Sequence, residues 1–459
     1  MKKFWKACVA AAMAALLGTV VFTGCAPRTP GTDDGGGNGP IDGGIGTQAI
    51  TLYIESAAPL KYNYNSLLKT EPEGSQTYNQ ALFTQTLVEG FKELYPNIEL
   101  RFIEDGWGDA LWQQQQLYIR QWQQGQKPQL DILIGETYMG YMAENGVFAE
   151  LDSSKFTDVV EGTYADMVVD GKMYGVPMWS GVMGLQYNTA ILEEAGIPEE
   201  DWEPATWSDL LDNCKTVSEY AEAHDKSYEG IVMNNVRGMS SAFRALPFMR
   251  AAGGDFLNDS GDFALSSAEN IEAFEYLREL AQYAYSPALS ETNEDTVQYL
   301  FNQGNGAYFV EGQWSMIDAG ETISSCELPA TDDGGTGNCY VSTGLFGIAQ
   351  WSENKAAAQA FLEYLTSAKI QEALYELDGR LPVNKTYLQS DEIRTVQPNM
   401  NSYIDTMIEG GFGGGLPSIT TNSNTVWERW GTFYNAVLTS SDSVATLAAA
   451  ADSEINSML

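Results

Sequence analysis

The sequence predicts an α/β protein of two or three lobes, built on mostly parallel sheets flanked by helices. Three observations predict it. At 459 residues the chain is too long for a single ordinary core. Hydrophobic residues make up 44% and aromatic ones 12%, enough for a large interior. Short apolar strands alternate with amphipathic helices, the pattern of a parallel sheet covered by helices.

Each element has its own signal. Residues 49–56 (AITLYIES) form a short apolar strand. Residues 77–96 place Leu82, Leu87, Phe91 and Leu94 at helical spacing and stop at Pro96. Residues 98–104 (IELRFIE) are a second strand, 109–124 a second helix and 130–136 (LDILIGE) a third strand. A helix over 140–146 closes on Gly146. Ligands of such sheets bind beyond the carboxyl ends of the strands. Here those ends are Glu55–Ser56, Glu104–Trp107 and Glu136–Tyr138.

The N-terminus reads as an export signal. Lys2, Lys3 and Lys6 precede an apolar run over 7–23, which Gly24 and Cys25 close. A cysteine behind a small residue at this point resembles the lipobox of bacterial lipoproteins, so Cys25 is expected to carry the lipid anchor, with Phe22 a departure from the usual aliphatic residue. Residues 26–48 are rich in Gly, Pro and Asp, as in a flexible tether. The folded part is expected from about Ala49. The formal charge of −38 excludes binding to nucleic acid by phosphate neutralisation and repels anionic lipid, leaving a covalent anchor as the route to a membrane. It also speaks against an anionic ligand, although the local potential of a cleft can override net charge.

Of five cysteines, Cys8 lies in the export signal and Cys214 reads as a small buried hydrophobe. Cys326 and Cys339 flank a turn-rich stretch and form a possible disulfide in an oxidising compartment. The single histidine, His224, lies at a polar helix end and is expected to be exposed. No metal site and no cofactor are expected, because no CxxC pair is present and LNDSGDF (257–263) reads as a hairpin turn, not a calcium loop.

Several motifs read as scaffold. Gly171 in Asp-Gly-Lys permits a tight hairpin. Pro177 is read as ending an exposed strand. Glu194-Ala-Gly196-Ile-Pro198 is a helix C-terminus, and Thr206 with Asp209 starts the next helix.

These motifs stand in an order that resembles the family 1 extracellular solute-binding proteins of ABC importers, the maltose-binding-protein-like group. The resemblance runs through VEGFKELYPNIEL (88–100), QLDILIGETYMGYMAENGVFAELD (129–152), DGKMYGVPMWSGVMGLQYNTAILEEAGIP (170–198), TWSDL (206–210), LFNQGNGAYFVEGQW (300–314), AAAQAFLEYLTS (356–367) and GRLPVN (379–384). It implies a two-lobed fold with a ligand cleft at the hinge. The first lobe would comprise 48–178 plus 338–378, the second 186–335 plus 379–459. It implies capture of a carbohydrate, closure about the hinge and delivery to permease subunits, by a monomer held at the extracytoplasmic face of a bacterial membrane.

The resemblance also implies where ligand would be met. Sugars present flat C–H faces to aromatic plates and hydroxyl rims to carboxylates, amides and Arg. Trp314, in Gly-Gln-Trp, matches the tryptophan that stacks on sugar. Glu136, Thr137 and Tyr138 follow the third strand, Glu55 and Ser56 end the first, and Trp107 follows the second. Trp179 and Ser180 lie in the crossover, beside Gly181, where maltose-type proteins carry an acidic ligand residue. Trp430, or Trp427 in its place, stands for a further cleft tryptophan, and Arg380 and Phe412 are loop candidates. Ser241 and Phe243 complete the set.

Two other classes stay open. One is a surface sensor or adhesin that binds glycans without feeding a transporter. The other is a surface carbohydrate-active enzyme, since a pair of carboxylates suffices for glycoside hydrolysis, although GxSxG, HExxH and P-loop motifs are absent from the sequence.

Overall fold

The computed structural model describes residues 44–106, 109–136, 138–316, 319–337, 340–409, 415–417, 419 and 423–459. The expected export signal, Cys25 and most of the tether lie outside them.

Ten strands carry the architecture: β1 (Ile50–Ser56), β2 (Ile98–Glu104), β3 (Ile132–Gly135), β4 (Val168–Val169), β5 (Lys172–Met173), β6 (Gly175–Asn188), β7 (Glu229–Val232), β8 (Gly306–Gly312), β9 (Ile323–Cys326) and β10 (Tyr340–Ile348). The main sheet runs β2-β1-β3-β10-β6-β8-β7, with β9 beside β6. β1 lies parallel to β2 and β3, and β7 parallel to β8, while β10 and β6 run antiparallel to their neighbours. The sheet therefore has two parallel ends joined through β10 and β6.

β6 holds the two ends together. All 14 of its residues are buried. Its first half pairs with β10, and its second half with β8 and β9. Side-chain alternation along a strand then feeds cores on both faces of each end. In β3, Ile132 and Ile134 join the core of helices Gln76–Leu94 and Lys355–Leu365, while Leu133 faces the helix Tyr138–Glu144. In β6, Met183 and Leu185 join the core of helices Trp207–Ala223, Met239–Ala251 and Ser423–Thr439, while Val182 faces Phe309 and Tyr403. The helix Ala368–Asp378 serves both ends, with Ile370 and Leu374 in one core and Tyr375 in the other.

Local chemistry explains the joints. In the β4–β5 hairpin Asp170 has φ +52° and Gly171 φ +77°, the left-handed pair of a two-residue turn. Ile197 N–H donates to Leu192 O at 3.0 Å past Gly196, closing the helix Thr189–Glu194. Thr206 and Asp209 form a reciprocal capping box. Leu257 pairs with Phe263 across the expected turn, and His224 is exposed.

Pro177 corrects one expectation. It lies inside the buried β6, not at the end of an exposed strand. It faces Leu345 next to a register shift in β10, and such an irregularity tolerates a residue without an N–H.

Gln371 braces the crossing. Fully buried, it donates to Met178 O (2.8 Å) and Leu365 O (3.0 Å) and accepts from Val383 N–H (2.7 Å). Gln371→Leu leaves these backbone groups buried without partners. It is expected to lower unfolding free energy by about 1–3 kcal/mol in urea titration.

Candidate functional site

A cleft of about 810 Å³ opens over the middle of β6. Its first wall is made by Ser56, Ala57 and Ala58 after β1, Glu104 and Gly106 at the end of β2, and Glu136 after β3. These are the carboxyl ends of three parallel strands, where helix-covered sheets leave room for ligands. Met239, Ser240, Phe243 and Arg244 from the helix after β7, together with Glu294, form the opposite wall. Trp179 and Gly181 of β6, Gln313 and Trp314 after β8, and Arg380 form the floor.

The two floor tryptophans rest on glycine backbone. A Cβ on Gly312 would lie 2.2 Å from the Trp314 ring, one on Gly181 3.0 Å, and one on Gly344 of β10 2.2 Å from the Trp179 ring. Only glycine lets each indole approach the strand this closely. Gln313 fixes the intervening backbone, accepting from Val182 N–H at 3.1 Å and donating to Ser180 O at 3.4 Å. Each indole has a guanidinium above it, Arg244 at 5.8 Å from Trp314 and Arg380 at 5.0 Å from Trp179.

The arginines are themselves held. Arg244 is 6% exposed and Glu311, beneath it, 1%. Nε and Nη2 of Arg244 donate to both Glu311 oxygens at 2.5–3.2 Å, and Nη1 donates to Ser240 O at 2.8 Å and Glu294 Oε2 at 3.3 Å. Burial pushes the Glu311 carboxyl up, while the guanidinium and Gly312 N–H pull it back. Three N–H donors directed at its oxygens make it the ionised partner. Arg380 is paired to Asp378, which also accepts from Gln80 Nε2 at 2.7 Å.

Glu55 sits behind the first wall and is fully buried. Its Oε2 accepts from Gln115 Nε2 (2.6 Å) and Ile134 N–H (3.1 Å), and its Oε1 has no hydrogen-bond partner. Burial, aided by neighbouring Asp105, raises its pKa to about 8 against the two hydrogen bonds. It is therefore a neutral acid below that pH.

The sequence-derived candidates divide. Ser56, Glu136, Trp179, Phe243, Trp314 and Arg380 line the cleft. Glu55, Tyr138, Ser180 and Ser241 do not. The Tyr138 ring stands edge-on to Trp112 at 5.2 Å, Ser180 is fully buried within β6, and Ser241 Oγ accepts from Trp430 Nε1 at 3.1 Å. Trp427 and Trp430 are core residues, 4% and 0% exposed, packed on Phe256 at 5.5 and 4.8 Å. Three residues apart, they share the inward face of their helix. Trp107, Thr137 and Phe412 lie outside the described residues, as does Cys339; Cys326 ends β9 as a buried thiol. Sequence reasoning missed Met239, Ser240, Arg244, Glu294 and Gln313. Gln313 adjoins Trp314, and Arg244 is a charge inside an otherwise apolar helix face, so each left a trace.

A cleft between two sheet ends that share a crossing strand, with a floor of aromatic plates and polar walls, defines a two-lobed binding protein. The family model described as bacterial extracellular solute-binding protein matches residues 86–401, and the chain belongs to that family. An arabinooligosaccharide-binding protein of Halalkalibacterium halodurans is 28% identical over 242 residues, covering 49% of this chain and 50% of that protein. The chain spans 50–63% of the length of the first curated relatives it matches. Among solved structures, a cyclic alpha-maltosyl-1,6-maltose binding protein from Arthrobacter globiformis superposes with a TM-score of 0.69 at 18% identity, covering 92% of this chain and 99% of that one. UgpB from Mycobacterium tuberculosis in complex with glycerophosphocholine gives 0.69 at 16% identity, covering 90% and 98%. Both place this chain in the two-lobed binding-protein fold.

Two outcomes follow from the geometry. Gly312→Ala is expected to displace the Trp314 indole, read as a changed near-ultraviolet circular dichroism signal. Glu55 in the unfolded chain titrates near 4.5, so its neutral-form stability is complete below that pH and is lost as pH rises through about 8. Glu55→Gln is thus expected to flatten the fall in melting temperature between pH 5 and pH 8.5, with the variant gaining on the parent as pH rises.

Proposed function

We propose that this protein captures a carbohydrate, an oligosaccharide above all, between two lobes and delivers it to an ABC importer. The observation that carries the reading is the floor of the cleft. Two indoles, Trp179 and Trp314, are fixed on glycine backbone beside carboxylates, amides and guanidiniums, the combination that fits the apolar face and hydroxyl rim of a sugar ring. The relatives of this chain, an arabinooligosaccharide-binding and a maltodextrin-binding protein among them, support the same class.

In this reading the lobes comprise 48–178 plus 338–378 and 186–335 plus 379–459. Ligand bound to both walls favours the closed arrangement, and closure about β6 and its neighbours buries it. No bond is made or broken. A monomer held by lipid on Cys25 presents the closed form to the permease at the extracytoplasmic face. Among the described residues no helix is long and apolar enough to cross a membrane, which leaves attachment to the N-terminal anchor in this reading.

A thermal-shift screen of mono- and oligosaccharides tests it. Ligand at about 100 times its Kd adds about 2.7 kcal/mol to the folded state, a clear rise in melting temperature. Trp314→Ala is expected to abolish the rise while leaving the unliganded melting curve close to that of the parent. A screen in which only non-carbohydrate solutes raise the melting temperature would overturn the substrate class.

A further inference from the structure

We infer that the cleft discriminates by charge, admitting neutral and cationic ligands and rejecting anionic ones such as uronates and phosphorylated or sulfated sugars. The inference rests on the cleft being the ligand site and concerns which ligands it takes.

Two arginines line the cleft, and an arginine is the side chain best suited to a carboxylate or phosphate. Neither is available as a charge. Arg244 has five N–H donors. Nε and Nη2 donate to the Glu311 carboxylate, and Nη1 donates to Ser240 and Glu294. An anion approaching from the cleft has to compete with two carboxylates for this guanidinium. Arg380 keeps donors for a hydroxyl, but its charge is matched by Asp378, 2% exposed and fixed by Gln80.

The remaining charge on the lining is negative. Glu104 and Glu136 face the cleft from one wall and Glu294 from the other. With the buried counter-ions Glu311 and Asp378, five carboxylates stand against two guanidiniums among the described residues of the lining and its supports, with the Lys61 ammonium acting on Asp378. Glu55, kept neutral by burial, adds no charge below about pH 8. A cleft walled by protein concentrates this field. A ligand anion would meet repulsion from the wall carboxylates, and the two lining guanidiniums that could offset its lost hydration are already paired. An amino group would find Glu104 and Glu294, both of them exposed.

Because Trp314 is a reporter within the cleft, the test needs no known ligand. Fluorescence quenching by caesium and by iodide at equal ionic strength is measured on the purified protein and on Trp314→Phe, and the difference isolates the cleft indole. Caesium is expected to quench this component about threefold or more better than iodide. The double variant Glu104→Gln, Glu294→Gln is expected to lower that ratio at least twofold, separating cleft charge from the −38 of the whole chain. Equal quenching by the two ions, or a ratio unchanged in the double variant, would overturn the inference. Either result stands apart from the sugar screen, which asks about chemical class and not charge.

Discussion

A single buried strand has to serve two sheet ends, and much of the molecule is arranged to let it. β6 exchanges hydrogen bonds with β10 along its first half and with β8 and β9 along its second, with every one of its residues buried. Close approach from either side demands glycine. A Cβ on Gly175 would lie 2.6 Å from Phe346 O, and one on Gly184 2.5 Å from the Tyr403 ring. Two glutamines lock the strand at its midpoint, Gln371 through Met178 O and Gln313 through Val182 N–H and Ser180 O. The stretch between them carries Trp179 and Gly181 into the cleft. The ligand floor is therefore braced from both sides of the strand, and the walls stand on either side of it.

That division suits capture. Aromatic plates are useful only if their orientation is set before ligand arrives, since ordering them on binding costs affinity. Trp314 and Trp179 are held by backbone contact on one side and a guanidinium on the other. The guanidiniums are in turn fixed by buried carboxylates, so a chain of supports runs from Glu311 through Arg244 to Trp314, and from Gln80 through Asp378 and Arg380 to Trp179. Glu311 and Asp378 thus hold up the floor without touching the cleft, which makes them poor places to look for ligand contacts and sensitive places for cleft geometry.

Much of the fold was legible in the sequence because local signals and tertiary demands agree. The first three strands, the long helix ending before Pro96, the Asp170–Gly171 hairpin and the Thr206 capping box all rest on short-range chemistry. Pro177 misled because its context, a strand buried on both faces opposite an irregular partner, depends on β10 more than 160 residues away. The site was legible in part. Strand ends are short-range features, and Ser56 and Glu136 followed from them. Trp314 and Trp179 came from the family resemblance. Trp427 and Trp430 looked alike as cleft candidates, but helical phase turns both toward Phe256 and the core. Arg244, Glu294 and Gln313 depend on pairings between distant segments, and nothing in a single sequence announces that Arg244 meets Glu311.

The central claim is that the two walls close on ligand about a fixed floor. It is tested most directly by the distance between spin labels at Tyr62→Cys, in the segment after β1, and Tyr299→Cys, in the helix that begins at Glu294, exposed at 52% and 59%. Saturating carbohydrate is expected to shorten and narrow the distance distribution by several ångströms, with Trp314→Ala removing the change. A distribution identical with and without bound ligand would contradict capture by hinge closure.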